Sequence, residues 1–198
     1  MKKWVRNQQG QENITAYIDG IFEQHRFRTA SEDRTNNTLH VVDDQNRIAL
    51  VRVGQPLEDR DASPPVQYHL GDHLGSSHVV VGGNGSDANS FINREEYFPY
   101  GETSFGSFGR KRYRYCGKER DEESDLYDYG ARYFAPWLGR WMSCDPLGAA
   151  AGLNCYRFCS NNPITYVDAE GYDDGPVSGA EEEAAPKPDR YGRDDNAL

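Results

Sequence analysis

Residues 126–171 read LYDYGARYFAPWLGRWMSCDPLGAAAGLNCYRFCSNNPITYVDAEG. Tyr, Phe and Trp alternate there with Gly, Asp-Pro and Asn-Asn-Pro. Gly tolerates positive φ, Pro fixes φ and removes a donor, and Asn tolerates the left-handed region, so each marks a turn. Aromatic residues between closely spaced turns point to short β-strands. One helical turn is expected in GARYFAPWLGRW, before Pro136. Two aspartates, Asp145 and Asp168, sit beside the turn residues.

The same grammar extends upstream. ITAYIDGIFEQHRFR (14–28) reads as two strands around Asp19-Gly20, a strong hairpin signal. A polar loop is expected over 29–37, then strand, turn and strand in LHVVDDQNRIALVRV (39–53). VQYHLGDHLGSSHVVVGG (66–83) is a third such unit, and NREEYFPYGE (93–102) is a strand entering a Pro-Tyr-Gly turn. Tyr113 and Tyr115 stand two apart, as do Tyr127 and Tyr129, the spacing that puts rings on one face of a strand. KERDEES (118–124) reads as a solvated turn. The plan of strand, short turn and strand suits a solenoid or spiralling sheet. No βαβ rhythm and no glycine-rich phosphate loop is visible.

Composition narrows the function. The chain has 198 residues, is 36% hydrophobic and carries 13 Tyr against 8 Phe, so its core is thin and rich in rings with a polar end. The formal net charge of -10 argues against nucleic-acid binding through a basic face. Half of that charge falls in residues 173–198, with eight acids against three bases; this acidic tail is expected to be disordered. No apolar run approaches the ~18 residues of a membrane span, and no signal peptide follows Met1-Lys2-Lys3. A soluble chain, exported by a dedicated machine, is expected. Cys116, Cys144, Cys155 and Cys159 have neither a disulfide-framework nor a zinc-site spacing, so free, half-buried thiols are expected.

YIDGIFE (17–23), RIALVRVG (47–54), YHLGDHLGSSHVVV (68–81), NREEYFPYGETSFGSF (93–108), KRYRYCGKERDEESDLYDYGARYFAPWLGRWMSCDPLG (111–148) and GLNCYRFCSNNPITYVDAEG (152–171) occur in one order. In them the chain resembles the RHS-repeat-associated core, the YD-repeat shell of polymorphic toxins and of the C component of insecticidal toxin complexes. The likeness spans about residues 14–172, leaving 1–13 as an N-terminal segment and 173–198 as the tail. It implies an all-β fold: antiparallel hairpins forming part of a spiralling shell, closed by an aromatic plug over 126–171. It also implies encapsulation of a C-terminal effector, and an aspartyl-protease-like site that cuts just after the core. The segments on either side are short for a full shell wall and a folded effector. A shell completed by another YD-repeat or toxin-complex chain, with the effector absent or lost, is therefore expected. The alternative is a non-catalytic shell fragment; a third reading is a small independent binding module.

The resemblance assigns chemistry to Asp145 and Asp168, which stand where the core motif carries its two aspartates. Two close carboxylates cannot both ionise cheaply, so one holds a proton while the other acts as base. Arg140 is the candidate to orient a carboxylate, and Tyr172–Asp173, directly after the core, is the candidate scissile bond. Both aspartates also suit plain turn capping. His69, Asp72, His73 and His78 lack a closed zinc spacing and read as hairpin hydrogen-bonding groups. Trp137 and Trp141 read as core anchors. No metal or cofactor is expected.

Overall fold

The computed structural model describes residues 2–43, 46–56, 64–82, 91–106, 111–148 and 152–177. Nine antiparallel strands form one meandering sheet in sequence order. They are β1 (Lys2–Arg6), β2 (Glu12–Ile18), β3 (Phe22–Arg28), β4 (Asp33–Asp43), β5 (Asn46–Val53), β6 (Val66–Gly71), β7 (Ser77–Gly82), β8 (Phe91–Tyr97) and β9 (Thr103–Gly106). A four-stranded sheet follows, with β10 (Glu119–Arg120), β11 (Tyr127–Asp128), β12 (Tyr133–Ala135) and β13 (Arg140–Trp141). A last hairpin pairs β14 (Tyr166–Asp168) with β15 (Asp174–Pro176). The described residues contain no α-helix. The expected all-β hairpin architecture with an aromatic plug is what the chain adopts.

The first hairpin shows why. Asp19 and Gly20 both take positive φ, 50° and 69°, the pair of values a two-residue primed turn demands. Ile21 N–H donates to the Ile18 carbonyl across that turn, and Ile21 stays in the loop as an extra residue, so the strands pair in the register Ile18↔Phe22. Elsewhere tertiary pairing overrides local reading. β4 begins at Asp33, inside the expected polar loop, because Asp33–Thr38 pairs with β3. Pro136 lies in the tight turn between β12 and β13 instead of ending a helical turn. Tyr115 sits in a 3-10 turn, and the expected solvated turn at 118–124 starts with β10. The expected disordered tail begins with β15; residues 178–198 lie outside the described part.

The plug is the true hydrophobic core. Tyr115, Cys116, Tyr127, Tyr129, Phe134, Trp141, Phe158 and Cys159 are buried together. Phe158 is its hub: it stacks on Phe134 with centroids 3.9 Å apart and meets Tyr100, Tyr115, Tyr129 and Trp141 edge-on or tilted. Such ring pairs contribute about 0.5–1.5 kcal/mol each beyond area burial. Of the two tryptophans expected in the core, Trp141 is there and Trp137 is 46% exposed, because the β12–β13 turn carries it outward.

The plug docks on the polar face of the large sheet. Glu23, only 1% exposed, receives Arg112 at 2.7 Å, His25 and His40 at 2.9 Å each, and the Tyr113 hydroxyl. Burial opposes its charge, but the imidazoles, Arg112 and Tyr113 win and hold its carboxyl far below the usual range. Because the folded-state value is depressed, this stabilisation is present above the ordinary glutamate pKa and is lost only as strong acid titrates the folded carboxylate. Of the four residues around Asp72, three follow hairpin chemistry, and His73 instead reaches the Ile164 carbonyl at 3.0 Å, 91 residues away. Asp72 Oδ1 accepts from the Leu74 and Ser76 amides, His78 contacts its Oδ2, and His69 pairs with Ser77 Oγ at 2.8 Å.

Glu23→Gln removes the buried carboxylate shared by Arg112, Tyr113 and the two imidazoles, leaving Arg112 with Glu119 alone. Breaking one partner of such a pair costs about 3–5 kcal/mol. Urea unfolding at neutral pH is expected to show a loss of this order, and a midpoint unchanged from wild type would refute the docking role.

Candidate functional site

The site is organised by a residue that the sequence reading passed over. Arg132 follows Tyr129-Gly130-Ala131 and enters β12; it is 4% exposed, with its guanidinium 4.2 Å above the Trp141 ring. That cation–π contact helps hold the guanidinium in place. One edge points to Asp145: Arg132 Nη1 lies 2.7 Å from Asp145 Oδ2, a close ion pair off the hydrogen-bond line. Arg132 Nη2 donates to Asp168 Oδ2 at 3.3 Å, and Nε donates to the Gly171 carbonyl at 2.7 Å. The structure thus brings Asp145 and Asp168 together on one buried cation. Arg140 is exposed on β13 and forms a bridge with Arg157; Arg132, not Arg140, touches the carboxylates.

Each carboxylate is locally capped. Asp168 ends β14 and its Oδ1 accepts three backbone amides, from Glu170 at 3.1 Å, Gly171 at 2.6 Å and Tyr172 at 3.2 Å. The loop so gathered is also tied to the plug by Ala131 N–H to the Glu170 carbonyl and by Lys118 to the Ala169 carbonyl. Gly171 has φ of 78°, and a Cβ there would lie 3.0 Å from the Arg132 nitrogen, so a side chain would push the loop off the arginine. Asp145 Oδ1 accepts from Leu147 N–H at 2.8 Å, and its own N–H donates to the Cys155 carbonyl at 2.9 Å. Turn capping and contact with Arg132 coexist in each aspartate, because different oxygens serve them.

Electrostatically the cluster sets two acids against one base. Burial pushes the Asp168 carboxyl up, against the pull of the three amides and Arg132. Tyr172, 46% exposed, and Asp173 form the end of the loop just before β15. The Tyr172–Asp173 peptide is the first beyond the clamp, whereas Gly171–Tyr172 has both its carbonyl and its N–H engaged.

The thiols depart from expectation. Cys144 and Cys155 form a disulfide with Cα atoms 4.8 Å apart, because the 141–145 and 155–156 segments run side by side through Trp141 and Asp145 backbone bonds. Cys116 and Cys159 are free and buried in the plug, where burial pushes the Cys116 thiol up to about 12. A separate cavity of about 300 Å³ lies between β1–β6 and the segment 111–123. Its Lys3, Lys111 and Arg112 are already paired with Asp121, Glu95 and Glu23.

The comparisons with known proteins agree with this architecture. No family model matches the chain. Toxin subunit YenC1 of Yersinia entomophaga is 43% identical over 125 residues, covering 60% of this chain and 12% of that protein. Toxin subunit YenC2 of the same organism is 45% identical over 102 residues, covering 48% and 10%. A crystal structure of TcdB2-TccC3 without its hypervariable C-terminal region superposes with a TM-score of 0.74 at 30% identity, over 86% of this chain and 8% of that one. The chain carries an RHS-repeat-associated core of the kind found in toxin shells. It spans about a tenth of the length of the relatives it matches.

Asp168→Asn and Asp168→Ala separate the two roles of this residue. Asn keeps an oxygen for the amides and is expected to unfold near wild type. Ala leaves three N–H groups without an acceptor, and a loss of about 1–3 kcal/mol is expected for each buried group left unsatisfied. Equal midpoints for the two variants in thermal unfolding would rule out the capping role.

Proposed function

We propose that the chain is the C-terminal core of an RHS/YD toxin shell, that it joins further toxin-complex or YD-repeat chain to enclose an effector, and that it cuts itself at Tyr172–Asp173. The observation that carries the proteolytic reading is Arg132 holding Asp145, Asp168 and the Gly171 carbonyl at once. Similarity to the YenC subunits and to TcdB2-TccC3 supports the shell reading.

In the proposed reaction one carboxyl of the pair carries the shared proton and gives it to the carbonyl oxygen of Tyr172. The other removes a proton from water, which attacks the carbonyl carbon. The tetrahedral intermediate collapses as the Asp173 nitrogen takes up a proton. Arg132 offsets the negative charge of the pair and, through Gly171, holds the loop in register. Among the described residues, the downstream product then stays attached through β15, a three-residue strand, and the Val177 N–H bond to the Thr165 carbonyl. Two-stranded pairing of that length is marginal in water, so the cut end separates easily.

Intact mass spectrometry of the purified chain tests this. The expected result is two products, ending at Tyr172 and beginning at Asp173, with a single full-length species for Asp145→Asn and for Asp168→Asn. Products shifted by one tyrosine would move the cut to Gly171–Tyr172. A wild-type chain that remains at full mass would leave the non-catalytic shell fragment as the function.

A further inference from the structure

We infer that the Cys144–Cys155 disulfide is a redox latch that positions Asp145 on Arg132; its consequence for cleavage rests on the autoproteolytic reading above. The disulfide immediately precedes Asp145, and the Asp145 N–H donates to the carbonyl of Cys155, the second half-cystine. The same two segments are joined again at Trp141 N–H to the Tyr156 carbonyl. Trp141 is the ring on which the Arg132 guanidinium lies. The covalent bond therefore closes the frame that carries both the floor under Arg132 and the carboxylate beside it.

Other restraints on Asp145 are few. Its backbone shares one bond with Cys155 and one with Gly148, its Oδ1 caps Leu147, and its Oδ2 meets Arg132. Asp168, by contrast, is held by three amides and a strand pairing. Asp145 is thus the half of the carboxylate pair whose place depends on the covalent tie. Cys144 is exposed and Cys155 half-buried, so the bond is open to a reductant, whereas Cys116 and Cys159 are sealed in the plug. A dithiol supplies two electrons and two protons: the sulfur–sulfur bond breaks, Cys144 and Cys155 become thiols, and the dithiol leaves as its own cyclic disulfide. With the tie open, Asp145 spends less time on Arg132, and displacements of about 1 Å in a reacting constellation slow reactions by up to ~100-fold.

The test uses dithiothreitol on the full chain. Thiol titration in denaturant is expected to find two free thiols before reduction and four after. Hydrogen exchange, followed in Asp168→Asn so that the chain stays intact, is expected to quicken at the Asp145 and Leu147 amides on reduction while the Glu170 and Gly171 amides hold. Self-cleavage of the wild type is expected to slow at least tenfold on reduction, to recover on reoxidation, and to be slow and insensitive to dithiothreitol in Cys144→Ser/Cys155→Ser. Recovery on reoxidation separates positioning from simple damage to the fold. Four thiols before reduction would overturn the inference, as would unchanged exchange at Asp145. Absence of cleavage in both redox states, with the exchange change present, would sink the autoprotease and leave the latch standing.

Discussion

The buried guanidinium of Arg132 is the point on which the plug and the C-terminal hairpin converge. It lies on Trp141, and its nitrogens reach Asp145, Asp168 and the Gly171 carbonyl. A buried charge is costly unless paired and hydrogen-bonded. Arg132 meets that condition only when β12, the 142–148 loop and the end of β14 are all in place. The same need makes Gly171 necessary, since a Cβ there would crowd the arginine backbone.

A second constraint is the docking of the plug. A chain this polar cannot rely on a large apolar interface between its two layers. The contact instead runs through Glu23, His25, His40, Arg112 and Tyr113, and through the buried Lys111–Glu95–Arg114 group. Glu23 and Glu95 there are paired, and the segment 111–114, distant in sequence from Glu23 on β3, supplies Arg112 and Tyr113 to Glu23 and Lys111 and Arg114 to Glu95. Such pairs add little net stability over apolar packing, but they penalise any arrangement that separates them. Meanwhile Leu39, Val41, Val53, Tyr68 and Leu70 stay 39–56% exposed. They alternate with the polar positions along β4–β6, so the face of the sheet away from the plug is the apolar one.

Much of the fold was legible in the sequence, because hairpins are encoded locally. Asp19-Gly20 reports its own φ values, and the alternation around it sets the register. What escaped was decided at long range. β4 starts early because β3 needs a partner; Pro136 reads as a helix stop but serves a hairpin. The two site aspartates were visible through motif likeness, and their meeting on Arg132 was not, since no spacing rule links a loop residue to the end of a strand 23 positions on. Arg132 stood unmarked between Ala131 and Tyr133: nothing in a local pattern separates a buried arginine from an exposed one, and Arg140, between Gly139 and Trp141, likewise follows a small residue and precedes an aromatic. The Cys144–Cys155 bond was invisible for the same reason, as a separation of 11 residues has no signature of its own.

The chemistry of the site depends on the two carboxylates acting as a coupled pair on Arg132. The direct measurement is a carboxyl-carbon NMR titration of Asp168, in the intact chain and in Asp145→Asn. Asp168 is expected to titrate above the usual aspartate range, as its burial dictates, and to move down when Asp145 loses its charge and leaves Arg132 to Asp168 alone. An Asp168 midpoint that is ordinary in the wild type and indifferent to Asp145 would contradict the shared site.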